Sequence, residues 1–319
     1  MDEPNPQAFA EKIIANVSRV LVGKEEAVEL ALVALGCEGH LLVEDVPGVG
    51  KTMLARSLAR SLGLSFNRIQ CTPDLLPSDI TGVSVFNPKE GSFSFRPGPV
   101  MANIVLVDEI NRATPRTQSG LLEVMGERQV TVDGQTLPLP FPFMVLATNN
   151  PIEFEGTFPL PEAQLDRFLM RIALGYPNPD QERQVLARME KEHPLNNLKP
   201  VVSPEEILRL IQAAREVFVE DSLRSYIVEI VNRTRRHPRI ELGASPRGSI
   251  ALFQASRVRA VLRGRNYVLP EDIKYLAPFI LAHRLVLTTE AFARGEKDIH
   301  IVEEILATTP VPTEEALNA

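Results

Sequence analysis

The stretch Asp45-Val46-Pro47-Gly48-Val49-Gly50-Lys51-Thr52 decides how the rest of the chain is read. It follows a short apolar run, Leu41-Leu42-Val43, and precedes a segment from Thr52 to Leu62 that reads as helix. Strand, glycine-rich turn and helix in that order open a nucleotide-binding α/β unit. Such a loop wraps phosphate oxygens in successive backbone N–H groups and presents them to the positive end of the following helix. Glycine is needed where the backbone turns sharply and comes close to the ligand, the places held by Gly48 and Gly50. Lys51 is expected to reach the β- and γ-phosphates of ATP and the Thr52 hydroxyl to bind Mg²⁺, with Pro47, Val49 and Met53 in the same cradle. The common pattern starts with glycine, and here Asp45 stands in that place; the Gly-x-Gly-Lys-Thr half that touches phosphate is intact. The competing reading is a glycine turn that carries a surface lysine.

Further along, Ile104-Val105-Leu106-Val107 is an apolar run that ends on Asp108-Glu109. Continuous apolar runs suit parallel strands covered on both faces, and this one delivers two carboxylates to its end. Asp108 is expected to hold Mg²⁺, which keeps several waters and takes few protein ligands. Glu109 is expected to orient and deprotonate an attacking water. On its own the pair could be strand-end solvation; downstream of a phosphate loop it gains weight. After a second such run, Phe143-Met144-Val145-Leu146, comes Ala147-Thr148-Asn149-Asn150-Pro151, where an amide could touch the γ-phosphate or simply form a turn. Arg167, in Ala163-Gln164-Leu165-Asp166-Arg167-Phe168, could pair with Asp166 or Glu162, or reach a neighbouring subunit's γ-phosphate, and Arg171 lies close behind it. Arg247, in Ser245-Pro246-Arg247-Gly248, sits in the first turn of a helix, where a cation opposes the helix dipole unless an anion or a local carboxylate is near.

Two hairpins interrupt this α/β pattern. Val83-Ser84-Val85 and Phe93-Ser94-Phe95 alternate with period two across Asn87-Pro88-Lys89-Glu90-Gly91, and Val130-Thr131-Val132 and Thr136-Leu137 flank the strong turn signal Asp133-Gly134. Near Tyr176-Pro177-Asn178-Pro179 the character changes, and everything after it reads as helix. Start signals stand at Ser203-Pro204-Glu205-Glu206, Ser245-Pro246 and Pro270-Glu271-Asp272. The expected division is an α/β unit over residues 1–177 and a helical unit over 178–319, within the 319 residues of the chain.

Composition narrows the classes. A net charge of −7 supplies no global positive field for nucleic acid, although a local basic channel would not show in the total. The start, Met1-Asp2-Glu3-Pro4-Asn5-Pro6, is unlike a signal peptide, and no apolar run approaches the roughly 20 residues of a membrane span, so a cytoplasmic protein is expected. The two cysteines, Cys37 and Cys71, are in no Cys-x-x-Cys pair and read as inert buried thiols. The last ten residues look frayed.

Taken together, these residues resemble the MoxR family of AAA+ ATPases. The resemblance is carried by Gly48 to Thr52, Val107-Asp108-Glu109-Ile110-Asn111-Arg112-Ala113, Ala147 to Glu153, Pro159 to Phe168, and Cys71 to Gly82, and it extends from about Val22 to Leu287. It implies a P-loop AAA+ core with a parallel sheet and two inserted β-hairpins, followed by a small all-helical lid. It implies Asn150 as sensor 1, Arg167 as arginine finger with Arg171 as the other candidate, Arg247 as sensor 2, and Val22-Gly23 as the segment packed on adenine. The hairpins match the family's helix-2 insert, within about 80–100, and its pre-sensor-1 hairpin, about 128–141, both facing the pore in related rings. The family's members form rings, commonly hexamers, work with proteins that carry von Willebrand factor A domains, and act as chaperone-like machines that mature or activate other proteins, metalloenzymes included. A metal-chelatase motor subunit, a DNA helicase-type motor and a nucleotide-gated scaffold with negligible hydrolysis are the alternatives.

Overall fold

Five short strands form the centre of the protein, and each is followed by a loop at the same edge. The computed structural model describes residues 6–89, 91–150, 156–190 and 193–312. In chain order the elements of the first part are α1 (Pro6–Val17), α2 (Glu25–Gly36), β1 (Leu41–Glu44), α3 (Lys51–Leu62), β2 (Phe66–Gln70), α4 (Pro77–Thr81), β3 (Gly82–Asn87), β4 (Ser92–Pro97), β5 (Ile104–Asp108), α5 (Pro115–Glu127), β6 (Gln129–Val132), β7 (Gln135–Pro138), β8 (Met144–Asn149), α6 (Glu162–Leu165) and β9 (Met170–Ile172). The second part holds α7 (Pro179–Met189), α8 (Pro204–Glu216), α9 (Asp221–Arg236), β10 (Ile240–Leu242), α10 (Pro246–Leu262), α11 (Pro270–Leu281), β11 (Val286–Leu287), α12 (Thr289–Ala293) and α13 (Asp298–Thr308).

The main sheet has the order β2-β5-β8-β1-β9 with every pair parallel. Its residues alternate between two apolar clusters, as the period-two pleat requires. Leu41, Leu106 and Leu146 share one cluster with α1, α2, α3 and the C-terminal helices. Leu42, Val105, Val107, Val145 and Ala147 share the other with α5 and Phe168. Both faces are therefore covered, which is why these strands read as unbroken apolar runs. The register sets Gln70 against Asp108 and Glu44 against Asn149, so the polar strand ends fall side by side.

The two expected hairpins are present as β3–β4 and β6–β7, each outside the main sheet. Helix starts follow the expected chemistry: Ser203 Oγ accepts the Glu206 N–H at 3.4 Å while the Glu206 carboxylate accepts the Ser203 N–H at 2.7 Å. The second part is not wholly helical, because β10 and β11 pair there as a two-stranded ribbon. Strands of three and two residues are too short to show a period, which hides them from pattern reading. Strand β2 was equally hidden: Phe-Asn-Arg-Ile-Gln lies at the sheet edge with one buried residue, Ile69. Met1 to Asn5, Glu90, Pro151 to Glu153 and residues 313–319 lie outside the described residues, and with them the expected N-terminal, hairpin-tip and frayed C-terminal features. Among the described residues no helix is long and apolar enough to cross a membrane.

One buried charge cluster holds the C-terminal helices together. Asp272, fully buried in the first turn of α11, accepts from Arg259 at 2.7 Å and from Arg265 at 2.7 and 2.8 Å, and also accepts the Leu269 N–H at 2.9 Å. Removing the carboxylate takes from Arg265 its carboxylate partner and leaves Arg259 with Glu29 at 3.4 Å, both guanidinium groups being mostly hidden from water. Asp272→Ala is expected to cost about 3–5 kcal/mol and to lower the thermal midpoint by roughly 10 °C. A midpoint within about 2 °C of the parent's would show that the cluster contributes little.

Candidate nucleotide site

The loop between β1 and α3 adopts backbone angles that only glycine takes readily. Gly48 has φ +86° and Gly50 φ +103°. A Cβ on Gly50 would also come within 2.9 Å of Leu21 Cδ2, whereas one on Gly48 would meet nothing within 4 Å, so Gly48 is demanded by its angle alone. Pro47, Gly48, Gly50, Lys51, Thr52 and Met53 line a pocket of about 310 Å³, closed by Asp108 and Glu109 from the end of β5 and by Asn150 just past β8. Val49 faces away, into the core, at 7% exposure. Val22 and Gly23 lie off this pocket too; Gly23 has φ +67° and packs against the Gln181 side chain of α7.

Asp45, the departure from the common loop pattern, has a definite job. Its Oδ1 accepts the Val46 N–H at 2.8 Å, and its Oδ2 accepts the N–H groups of Leu174 and Gly175 at 2.7 and 2.6 Å. Its carbonyl accepts from Lys51 Nζ at 2.6 Å. From the other side Lys24 Nζ donates to the carbonyls of Leu174 at 2.6 Å and Gly175 at 3.1 Å. A glycine in place of Asp45 would leave the segment after β9 untied from the phosphate loop.

The acid pair is tightly held. Asp108 Oδ1 accepts from Thr148 Oγ1 at 2.6 Å and Oδ2 pairs with Arg68 Nη2 at 2.6 Å. Glu109 sits at φ +56°, a left-handed conformation uncommon for a non-glycine residue, and its N–H donates to Thr148 Oγ1 at 2.8 Å. Its carboxylate accepts from Gln70 Nε2 at 2.9 Å and lies 3.5 Å from Arg112 Nη1. Sequence reading missed Gln70, Arg68 and Thr148, since only the register of β2 and β8 against β5 brings them to the acids. Beside them the Cys71 thiol is pushed up to about 12 by burial and by the Asp108 and Glu109 charges, as an inert thiol should be. Burial likewise raises the Cys37 thiol.

The three arginines separate. Arg171, on β9, is taken by Glu44 at 3.0 Å and Asp298 at 2.5 Å, tying the sheet to α13, while Asp166, foreseen as a partner of Arg167, pairs with Arg284 at 2.8 Å. Arg167 is exposed, and its Nη1 donates to the Leu122 carbonyl at 2.5 Å. Arg247 is exposed as well and lies 3.8 Å from Asp166 Oδ2. Neither Arg167 nor Arg247 lines the pocket formed by its own phosphate loop.

The model of the ATPase family associated with various cellular activities (AAA) matches residues 40–170, and the model of the AAA lid domain matches residues 232–305. Chaperone MoxR1 of Mycobacterium tuberculosis is 44% identical over 95% of this chain and 82% of its own length, and Protein MoxR of Methylorubrum extorquens is 32% identical over 93% of each. The chain belongs to the MoxR family of AAA+ ATPases. The crystal structure of a proposed ATPase from Cytophaga hutchinsonii superposes on it with a TM-score of 0.89 at 40% identity, covering 97% of this chain and 96% of that one. Within this MoxR-family chain, Asp45→Gly is expected to cost about 2–3 kcal/mol and to speed hydrogen exchange at the Leu174 and Gly175 amides. Exchange at those two amides unchanged from the parent would remove the tether.

Proposed function

We propose that this chain hydrolyses ATP to ADP and phosphate within a ring of its own copies, commonly six, and uses the turnover to remodel, mature or activate a partner protein. What supports it best is the convergence of Lys51, Thr52, Asp108, Glu109 and Asn150 on one pocket while the exposed Arg167 stands outside it. The backbone N–H groups of the loop and the Lys51 ammonium bind the β- and γ-phosphates. Thr52 and Asp108 present hard oxygen atoms on the pocket wall, the donor set Mg²⁺ takes beside phosphate. When bound there, Mg²⁺ neutralises charge on the phosphate oxygens.

Glu109 orients the attacking water and accepts its proton, and Asn150 offers an amide to the γ-phosphate or that water. The Gln70 amide holds one Glu109 oxygen, Oε2, at 2.9 Å, and Oε1 is the one that accepts from water. Arg167 reaches a neighbour's nucleotide, where charge develops in the transition state, and Arg247, as sensor 2, passes the state of the γ-phosphate to the lid. Arg171 is the weaker candidate for the finger because two carboxylates already hold it. Val22-Gly23 remains the proposed adenine side, with the nucleotide-binding unit at 1–177 and the helical unit at 178–319.

The first hairpin offers a client an apolar hold: Phe86 and Phe93 are 50% and 73% exposed, with ring centroids 5.2 Å apart. A partner with a von Willebrand factor A domain and a metalloenzyme client belong to the same proposal. A DNA motor is disfavoured by the net charge of −7 and by Asp133 at the second hairpin tip. The test is Glu109→Gln: ATP binding is expected within severalfold of the parent while turnover falls about 10²–10⁴-fold. Parental turnover in that variant contradicts the assignment.

A further inference from the structure

A buried guanidinium, with His283 Nε2 beside it 3.2 Å from the Phe168 carbonyl, joins the lid to the segment that carries Arg167. Arg284 closes a short 3-10 turn, Ala282–Arg284, after α11, and its side chain is 3% exposed. Its Nε donates to Asp166 Oδ1 at 2.8 Å, and its Nη2 donates to the carbonyls of Phe168 at 2.7 Å and Asp166 at 3.4 Å. Its Nη1 donates to the Leu169 carbonyl at 3.1 Å and to the Ile280 carbonyl of α11. The acceptors therefore flank Arg167 on both sides, at 166, 168 and 169, while the Arg167 side chain stays exposed.

The same unit includes the start of α10. Asp166 Oδ2 accepts from Ser245 Oγ at 3.0 Å, and a Cβ on Gly248 would stand 3.5 Å from Arg284 Cδ. Below it, Phe168 is fully buried and the Leu169 N–H donates to the His40 carbonyl at 2.9 Å, which roots the segment in the sheet. Arg167 is thus mounted on backbone gripped by the sheet from beneath and by the lid from above.

We infer that Arg284 is a positioning residue for Arg167: by holding the carbonyls on either side of it, Arg284 makes the reach of that exposed guanidinium toward a neighbouring copy's phosphates depend on where the lid sits. The inference rests on the reading of Arg167 given above. The planar fork matters to it, because Arg284 makes five donations from three nitrogens, whereas an ammonium offers three donors from one point. A displacement of about 1 Å of a catalytic group costs roughly 100-fold in rate. A tilt of the lid therefore alters hydrolysis in the adjoining subunit through Arg167.

Mixed rings of full-length chain test it. The control mixes Glu109→Gln subunits, which keep Arg167, with Arg167→Ala subunits, which keep a working pocket; turnover absent from either alone is expected to return in the mixture. Arg284→Lys subunits mixed with Glu109→Gln subunits receive intact Arg167 and are expected to turn over like the control. Arg284→Lys,Glu109→Gln subunits mixed with Arg167→Ala subunits must supply Arg167 from a loosened mount, and turnover is expected about 100-fold below the control. Asp166→Asn in place of Arg284→Lys is expected to give the same asymmetry with less disturbance of packing. Equal loss in both mixtures, or loss in neither, overturns the role of Arg284 and leaves that of Arg167 standing. Failure of the control mixture removes the reading of Arg167 and the inference with it.

Discussion

Three parallel strands that end at the same level decide everything else about this site. β1 releases the phosphate loop, β5 releases Asp108 and Glu109, and β8 releases Asn150, and the pairing of β1 and β5 with β8 puts these ends beside one another. No single loop could gather a lysine, a hydroxyl, two carboxylates and an amide; the register does so because strand ends in a parallel sheet share one edge. The cost is borne at Glu109, which is held in a left-handed conformation, and Thr148 repays part of it by bonding the Glu109 N–H and the Asp108 carboxylate together.

Charge organisation follows from that edge. Gln70 and Arg68, both on the sheet's edge strand, occupy the acids, so the carboxylate proposed to handle the water is held by a neighbouring strand. Two aspartates carry the connections outward. Asp45 ties the phosphate loop to the segment after β9, and Asp166 ties the Arg167 segment to α10 and Arg284.

Much of this is legible in the sequence, wherever a local rule applies. The glycine pair before Lys51, the apolar runs before Asp108 and Asn150, the Asp133-Gly134 turn and the Ser203–Glu206 cap each draw their meaning from residues within a few positions. What escaped reading depends on partners far apart in the chain. Gln70 meets Glu109 across 39 positions, Asp45 meets Gly175 across 130, and Arg284 meets Asp166 across 118. Arg171, the other candidate for the finger, meets Glu44 across 127 positions and Asp298 across 127 more, which no local pattern shows. The aspartate at the head of the phosphate loop was visible as an anomaly, and its reason lies in the segment it holds.

The central claim is that the loop ending in Lys51 grips a triphosphate. Equilibrium binding of ATP to the parent chain and to Lys51→Ala, in the presence of magnesium, tests it most directly. The account predicts affinity lower by about 10–100-fold in the variant, the worth of a lost charge-assisted contact to phosphate. Equal affinity in the two proteins would contradict it.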